Sequence, residues 1–549
     1  MNCKNVLTTL SLIVFSMAAC AQLSVHHIFG DNMILQRDKE VRVWGWADPG
    51  KEVILEFNGQ RVQTTAKEDR SWEMHLNPMP VNTEPQMFKV ICNPVEENDG
   101  QAVIYQNVLV GDVWILGGQS NMELDLQRIY HGDEEIASAN FPDIRILTIP
   151  HGASPEYVPD FERINEWDGW HGRYDLKGYW FVCTPEVVPT FSGMGYVFGR
   201  RIYMASQVPI ALIDASWGGT TVEGWTSREK LVEVPENAGL IEMWDNRIQA
   251  DSTKAYDRNN PGASFNGMMN IFGGLAIKGI IFHQGFNNAL GDARPKLYEK
   301  NIKLMVELWR ETFNDPDLPF GIIELSAGGQ PQTVANFNER MIDAGTYIRE
   351  AQLNAYKDLT NIGFVAAYDQ QVDWYHPFKK SELSERMARW ALTEVYGFDL
   401  GWKPALVIES DIKGDEILIT FDKEVITHDG RPMEGFAIAG INKRFYPANA
   451  NYLVIGKDER NREIYDRSRI LVSSNKVRKP VAVRYAWARN PLGNLVNNSH
   501  GERVIPVPSF RTDNWDWPEA PFAENSTEEF QNHRDLIREM QRQARNQDK

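Results

Sequence analysis

Four short stretches of this 549-residue sequence hold the residue types that acyl transfer needs. They are Gly117-Gly118-Gln119-Ser120-Asn121-Met122, Ser216-Trp217-Gly218-Gly219-Thr220, His283-Gln284-Gly285-Phe286-Asn287-Asn288 and Asp373-Trp374-Tyr375-His376-Pro377. Together they offer a serine hydroxyl, glycine turns whose amides can hold an oxyanion, amide side chains, and an Asp/His pair on one loop. In such a reaction the hydroxyl attacks a carbonyl, an imidazole takes its proton, and a carboxylate orients the imidazole.

Each residue also has a plainer use. Ser is a favoured N-cap, so Ser120 can cap a helix beginning near Asn121. His376 can be an ordinary loop residue, as most of the 11 histidines are. Asp373 can cap a helix after Pro377, and Gly219 can serve a tight turn. Asn287 and Asn288 are adjacent, and either can cap or turn. Gln284 is a further polar wall. Trp217 and Trp225 are core residues more often than sugar platforms.

What positions the four stretches decides between these uses. Apolar runs at 108–116, 208–215, 276–282, 319–325 and 361–367 alternate with segments of helical spacing. Leu304, Met305, Leu308, Trp309 and Phe313 form one such segment; Leu383, Met387, Trp390, Ala391 and Val395 form another. Strand alternating with helix predicts an α/β fold with a doubly wound parallel sheet covered on both faces. Ligands bind beyond the carboxyl ends of strands in such sheets. Each of the four stretches follows one of the apolar runs, so the serine, the glycine turn, the amides and the Asp/His pair are expected on one rim. Long inserts at 125–190 and 227–265 interrupt the pattern, with the latter half of each read as loop.

The flanks read differently. Short alternating strands at 41–46, 52–57, 61–66, 72–76 and 87–92, separated by Asp48-Pro49-Gly50 and Asn58-Gly59, predict an N-terminal β-sandwich over 22–107. The α/β domain then covers 108–400. Strands return at 405–409, 416–420, 452–455, 469–472 and 481–487, giving a C-terminal β-domain over 401–512. The charged tail 513–549 places Leu536, Ile537 and Met540 on one helical face.

The N-terminus has Lys4, an apolar run over 6–19 and then Ala19-Cys20-Ala21-Gln22, the pattern of a secretory signal at 1–21. The expected location is secreted or periplasmic. Lipidation at Cys20 is the other route, but Met17 matches poorly the Leu usual three residues before such a Cys. The run is too short to span a bilayer, and no later stretch reads as a membrane span. Only Cys92 and Cys183 remain, too few for a disulfide framework or a Cys-based zinc site. The net charge of -18 excludes the basic footprint of a nucleic-acid binder. The 17 Trp suit both β-domain cores and sugar handling.

The four stretches, together with Glu223-Gly224-Trp225, resemble the SGNH hydrolases of the sialate O-acetylesterase type. The start, Phe29-Gly30-Asp31-Asn32-Met33-Ile34-Leu35-Gln36-Arg37, and the end, Arg484-Tyr485-Ala486-Trp487 through Phe510-Arg511-Thr512-Asp513-Asn514-Trp515, are similar to that family's leading and closing β-domains. The resemblance implies an SGNH/flavodoxin-like sheet between β-sandwiches. It implies Ser120 as nucleophile, His376 as general base and Asp373 as its orienter. The Ser120 and Gly219 amides and the Asn288 side chain would hold the oxyanion, and Gln119, Gln284, Trp217 and Trp225 would line the sugar site. No metal or cofactor is implied.

The sequence departs from that pattern at Phe286, where an acidic residue usually follows Gln-Gly, and at His283, where an aromatic is common. Both changes bear on the acceptor pocket. The expected activity is hydrolysis of O-acetyl esters of carbohydrate, sialate first, with xylan or pectin as the alternative. A second class of reading is a non-catalytic carbohydrate-binding protein on a decayed esterase scaffold. A lipase or peptidase is disfavoured by the lack of a Gly-x-Ser-x-Gly elbow. As a general base, His376 would lose activity on the acid side near its ordinary pKa of about 6.5.

Overall fold

The computed structural model describes residues 23–92, 101–168, 172–290, 295–341, 344–370 and 375–515. The expected leader with Cys20, Asp373 and the tail beyond residue 515 lie outside these residues.

Strand Gln101–Gly118 is the axis of the molecule. Its second half pairs in parallel with Ile210–Asp214 on one side and Gly279–His283 on the other. Beyond Ile210–Asp214 lies Phe141–Thr148, also parallel. Beyond Gly279–His283 lie Phe320–Ile323 and Ile362–Val365, parallel again. Strands that follow the axis in the chain are thus laid first on one side and then on the other. The order reverses at Gln101–Gly118, and the crevice beyond its carboxyl end is where an open α/β sheet binds ligands.

The apolar run 108–116 is nearly continuous because the sheet is buried on both faces. Val113 and Ile115 pack into one core with Phe282, Met305, Trp309 and Phe320. Trp114 and Leu116 pack into the other with Phe198, Met387 and Trp390. Helix Pro295–Thr312 supplies Met305 and Trp309; helices Gly193–Ser206 and Lys380–Glu394 supply Phe198, Met387 and Trp390. Each such buried side chain is worth on the order of 2–3 kcal/mol relative to exposure.

Three expectations need correction. The sheet is mixed, not purely parallel: Trp180–Cys183 joins one edge antiparallel, and the first half of Gln101–Gly118 pairs antiparallel with Asn82–Cys92. The 107/108 boundary falls inside this one continuous strand. The insert 125–190 is not merely an insert, since it contributes Phe141–Thr148 to the sheet and a hairpin of Ile164–Asp168 with Arg173–Lys177. Its apolar residues Ile144, Ile146 and Leu147 are interrupted by Arg145, so they form no continuous run. The insert 227–265 is also largely helical, with Arg228–Val232 and Ala238–Ala250.

At the N-terminal end, Glu52–Phe57, Gln60–Thr65 and Ile34–Gln36 extend the central sheet, and Ser24–Val25, Val41–Trp46 and Ser71–Leu76 form a second. The C-terminal residues form two four-stranded sheets and a strand pair around Ile419, Phe436, Ile470 and Tyr485. Arg349 ties this region to the α/β part by donating to Ala488 O at 2.7 Å. Among the described residues no helix is long and apolar enough to cross a membrane.

Candidate active site

The Ser120 turn begins where the axial strand ends. Gly118 has φ +130, and a Cβ there would lie 2.2 Å from His283 O. Only glycine lets the two strand ends come this close, and the Gln119 N–H then donates to His283 O at 3.2 Å. Gln119 is the extended N-cap residue of helix Ser120–Glu123, and it makes no side-chain cap bond. Ser120 is therefore the first helical residue, not the cap. Its backbone N–H is one of those a helix start leaves free, and its side chain faces elsewhere: Ser120 Oγ lies 2.8 Å from His376 Nε2.

The His376 loop is fastened to Asn121, the residue after Ser120. Asn121 Nδ2 donates to Tyr375 O at 3.1 Å, and Lys380 Nζ donates to Asn121 Oδ1 at 2.6 Å. Lys380 is fully buried at the start of its helix, and burial pulls its pKa down to about 7. Burial, with the positive charges of Lys380 and Arg128, pushes the His376 pKa down to about 3. A neutral imidazole at neutral pH can accept the serine proton.

The second turn follows Ile210–Asp214. The Trp217 N–H donates to Gly118 O at 3.0 Å, which seats this turn against the Ser120 turn. Gly219 adopts φ +81. Its carbonyl accepts from Asn287 Nδ2 at 2.8 Å and Asn259 Nδ2 at 3.0 Å, while its N–H donates to none of the described residues.

Asn288, the asparagine expected in the oxyanion site, has its amide engaged by other side chains and backbone. Asn288 Nδ2 donates to both Glu223 oxygens, at 3.2 and 2.9 Å, and its Oδ1 accepts from the Val222 N–H and Gln284 Nε2. Its amide is committed away from Ser120. Asn287 instead lies against Gly219 and also accepts from Gln119 Nε2 at 3.4 Å.

Two glutamines and a tryptophan are likewise corrected. Gln119 and Gln284 are each 1% exposed. Gln119 Oε1 accepts from Gln284 Nε2, and Gln284 Nε2 also donates to Thr220 O. They brace the three turns against one another, because a buried amide must find partners, and neither presents a surface to a sugar. Trp225 is fully buried, donates Nε1 to Thr220 Oγ1 at 2.9 Å and packs edge-on against Trp309. It belongs to the core. Trp217 is half-buried, its ring stacked on His151.

The two departures have different fates. His283 is fully buried, with Nδ1 3.1 Å from Ile323 O. Phe286 is half-buried, packs on Tyr375 with centroids 4.9 Å apart, and lies under the Arg489 guanidinium. The substituted position is thus an aromatic wall beside the His376 loop.

Sequence reasoning passed over Glu123, His151, Glu166, Arg258 and Lys380. Glu123 stands three residues after Ser120 on the same short helix, a spacing that could have drawn attention. The other four are polar residues in loops, hairpin or helix start, with no local signal.

The family described as "Carbohydrate esterase, sialic acid-specific acetylesterase" matches residues 110–392. The human sialate O-acetylesterase is 27% identical over 313 residues, covering 54% of this chain and 56% of that protein. The mouse sialate O-acetylesterase is 27% identical over 335 residues, covering 54% and 58%. The chain thus spans a little over half the length of the curated relatives it matches. A carbohydrate acetylesterase from Xanthomonas citri superposes with TM-score 0.74 at 26% identity, over 90% of this chain and 100% of that one. With the match over residues 110–392, the chain belongs to the sialic acid-specific acetylesterase family of carbohydrate esterases.

Proposed function

We propose that this protein is a serine esterase that removes O-acetyl groups from carbohydrate, with sialate esters as its first substrates. The observation that carries the reading is the 2.8 Å approach of His376 Nε2 to Ser120 Oγ at the switch point of the sheet. Ser120 attacks the acetyl carbonyl while His376 takes its proton. The Ser120 and Gly219 N–H groups, with Asn287 beside them in place of Asn288, receive the oxyanion. His376 returns the proton to the leaving sugar hydroxyl, and a water that it deprotonates then releases acetate from Ser120. Asp373, three residues before His376, is assigned the orienting role.

The same reading takes an SGNH-type unit that begins within Gln101–Gly118 and runs to about 400, between β-sandwich units before it and over 401–512, exported behind the leader 1–21, with lipidation at Cys20 as the other route. An acidic sugar is favoured over neutral xylan by Arg258. This exposed guanidinium donates to Gly218 O at 2.6 Å, lies 5.2 Å from the Trp217 ring, and pairs with no carboxylate among the described residues.

The test is acetate release from 4-nitrophenyl acetate, O-acetylated sialate, acetylated xylan and acetylated pectin by wild type and Ser120→Ala. Loss of activity in Ser120→Ala by a factor on the order of 10⁴ or more supports the reading. Activity that survives the substitution overturns the nucleophile, and inactivity of wild type on every ester favours the binding-protein alternative.

A further inference from the structure

Behind the Gly218-Gly219 turn lies a charged cluster that the reaction above does not use. Glu123 ends the helix that Ser120 begins. Its Oε2 accepts from the Gly218 N–H at 2.6 Å, and its Oε1 lies 3.2 Å from His151 Nε2. His151 Nδ1 lies 3.3 Å from Glu166 Oε1. The His151 ring stacks flat on Trp217, with centroids 5.0 Å apart and planes 6° apart.

These contacts pin successive peptide units of the turn from behind. Each peptide unit is rigid and planar, so holding one of its polar ends orients the other. Glu123 holds the Trp217–Gly218 unit through its N–H. Arg258 holds the Gly218–Gly219 unit through its carbonyl, which leaves the Gly219 N–H directed the opposite way. The fit allows no slack: a Cβ on Gly218 would lie 2.9 Å from Glu123 Oε2 and 3.3 Å from Ser120 Cβ.

We infer that Glu123, held by His151, is a positioning residue for the oxyanion turn, fixing the Gly218 amide so that the Gly219 N–H stays aimed at the carbonyl attacked by Ser120. The inference rests on the esterase reading. Partial charge compensation supports it, one imidazolium lying between two carboxylates. A lone carboxylate behind this turn would oppose the developing oxyanion, whereas here an imidazolium sits between Glu123 and Glu166. Burial opposes charging His151, but its hydrogen bonds to Glu123 and Glu166 outweigh this and raise its pKa to about 9. The imidazolium therefore persists at neutral pH.

The experiment measures kcat and KM for 4-nitrophenyl acetate in wild type, Glu123→Ala, Glu123→Gln, Glu123→Asp, His151→Gln and the Glu123→Ala/His151→Gln double variant. Glu123→Ala is expected to lower kcat on the order of 10²-fold, the scale of one oxyanion donor, with KM changed less than about threefold. Glu123→Gln should keep most of kcat, because its amide oxygen can still accept from the Gly218 N–H. The double variant should be no worse than Glu123→Ala, since both residues act through one path. A Glu123→Ala enzyme with wild-type kcat, equal losses in Ala and Gln, or additive losses in the double variant would overturn the inference. Should Glu123→Ala not fold, Glu123→Asp, one methylene short of Gly218, must lose more kcat than Glu123→Gln; the reverse order overturns it. A wild type inactive on aryl acetate and on O-acetylated sialate removes the esterase reading and this inference with it. An active wild type with an indifferent Glu123→Ala removes the inference alone.

Discussion

His376 Nε2 lies 2.8 Å from Ser120 Oγ although 256 positions separate the two in the chain. The contact depends on Asn121, which bridges Tyr375 O to the Lys380 ammonium. Ser120 and His376 are thus joined twice, once through their own side chains and once through the residues next to them. A fully buried lysine is costly without partners, and this one helps fasten the His376 loop to the Ser120 turn.

The two neighbouring asparagines should behave differently. Asn287→Ala removes a donor from Gly219 O and, in the proposed reaction, a group beside the oxyanion, so kcat on aryl acetate should fall on the order of 10²-fold with the melting temperature little changed. Asn288→Ala leaves Glu223 without its amide partner, and should cost about 1–3 kcal/mol of stability with a smaller effect on kcat. Paired denaturation and steady-state measurements decide it. The opposite ranking would restore Asn288 to the oxyanion site.

The two tryptophans separate in the same way. Trp225→Ala opens a cavity against Trp309 and should cost about 3–5 kcal/mol in urea unfolding. Trp217→Ala removes a half-buried ring from His151 and Arg258 and should cost roughly 1–2 kcal/mol. Equal losses would contradict the assignment of Trp225 alone to the core.

The acid limb of kcat/KM should lie below the ordinary histidine pKa of about 6.5. A general base works while neutral, and burial with the charges of Lys380 and Arg128 lowers the His376 pKa. Activity is therefore kept as the pH falls through 6.5 and lost only at lower pH. Lys380→Met deletes one of the positive charges, so its acid limb should move up toward neutrality. A limb in the variant at or below that of wild type would remove the electrostatic role of Lys380.

Stability should also depend on His151. Its folded pKa is raised from 6.5 to about 9, so its stabilising contribution is fully present below 6.5 and is lost as the pH rises to about 9. The urea midpoint should fall across that window in wild type, and less in His151→Gln. Matching slopes in the two proteins would show that His151 is not charged in the fold.

The sequence by itself determined the frame of this protein. Continuous apolar runs named five strands of the central sheet to within a few residues, except that the first begins earlier, at Gln101, because burial on both faces demands such runs. Gly118 and Gly219 mark turns that only glycine closes. The approach of Ser120 to His376 was legible because each follows a strand, and strand ends converge in a doubly wound sheet. The order Ser120, Gly219, the Asn287-Asn288 pair, His376 was therefore readable from neighbours in the chain. Tertiary structure decided what each side chain in those turns meets. Asn287 and Asn288 are indistinguishable in sequence, and Glu223, 65 positions away, selects which of them turns from the site. Trp225 became core because Trp309 lies against it. Glu123 acquired its place behind the oxyanion turn from His151 and Gly218, neither of them near it in sequence. Local pattern encodes where a strand ends and a turn begins; the partner of a polar side chain depends on segments the fold brings together from elsewhere.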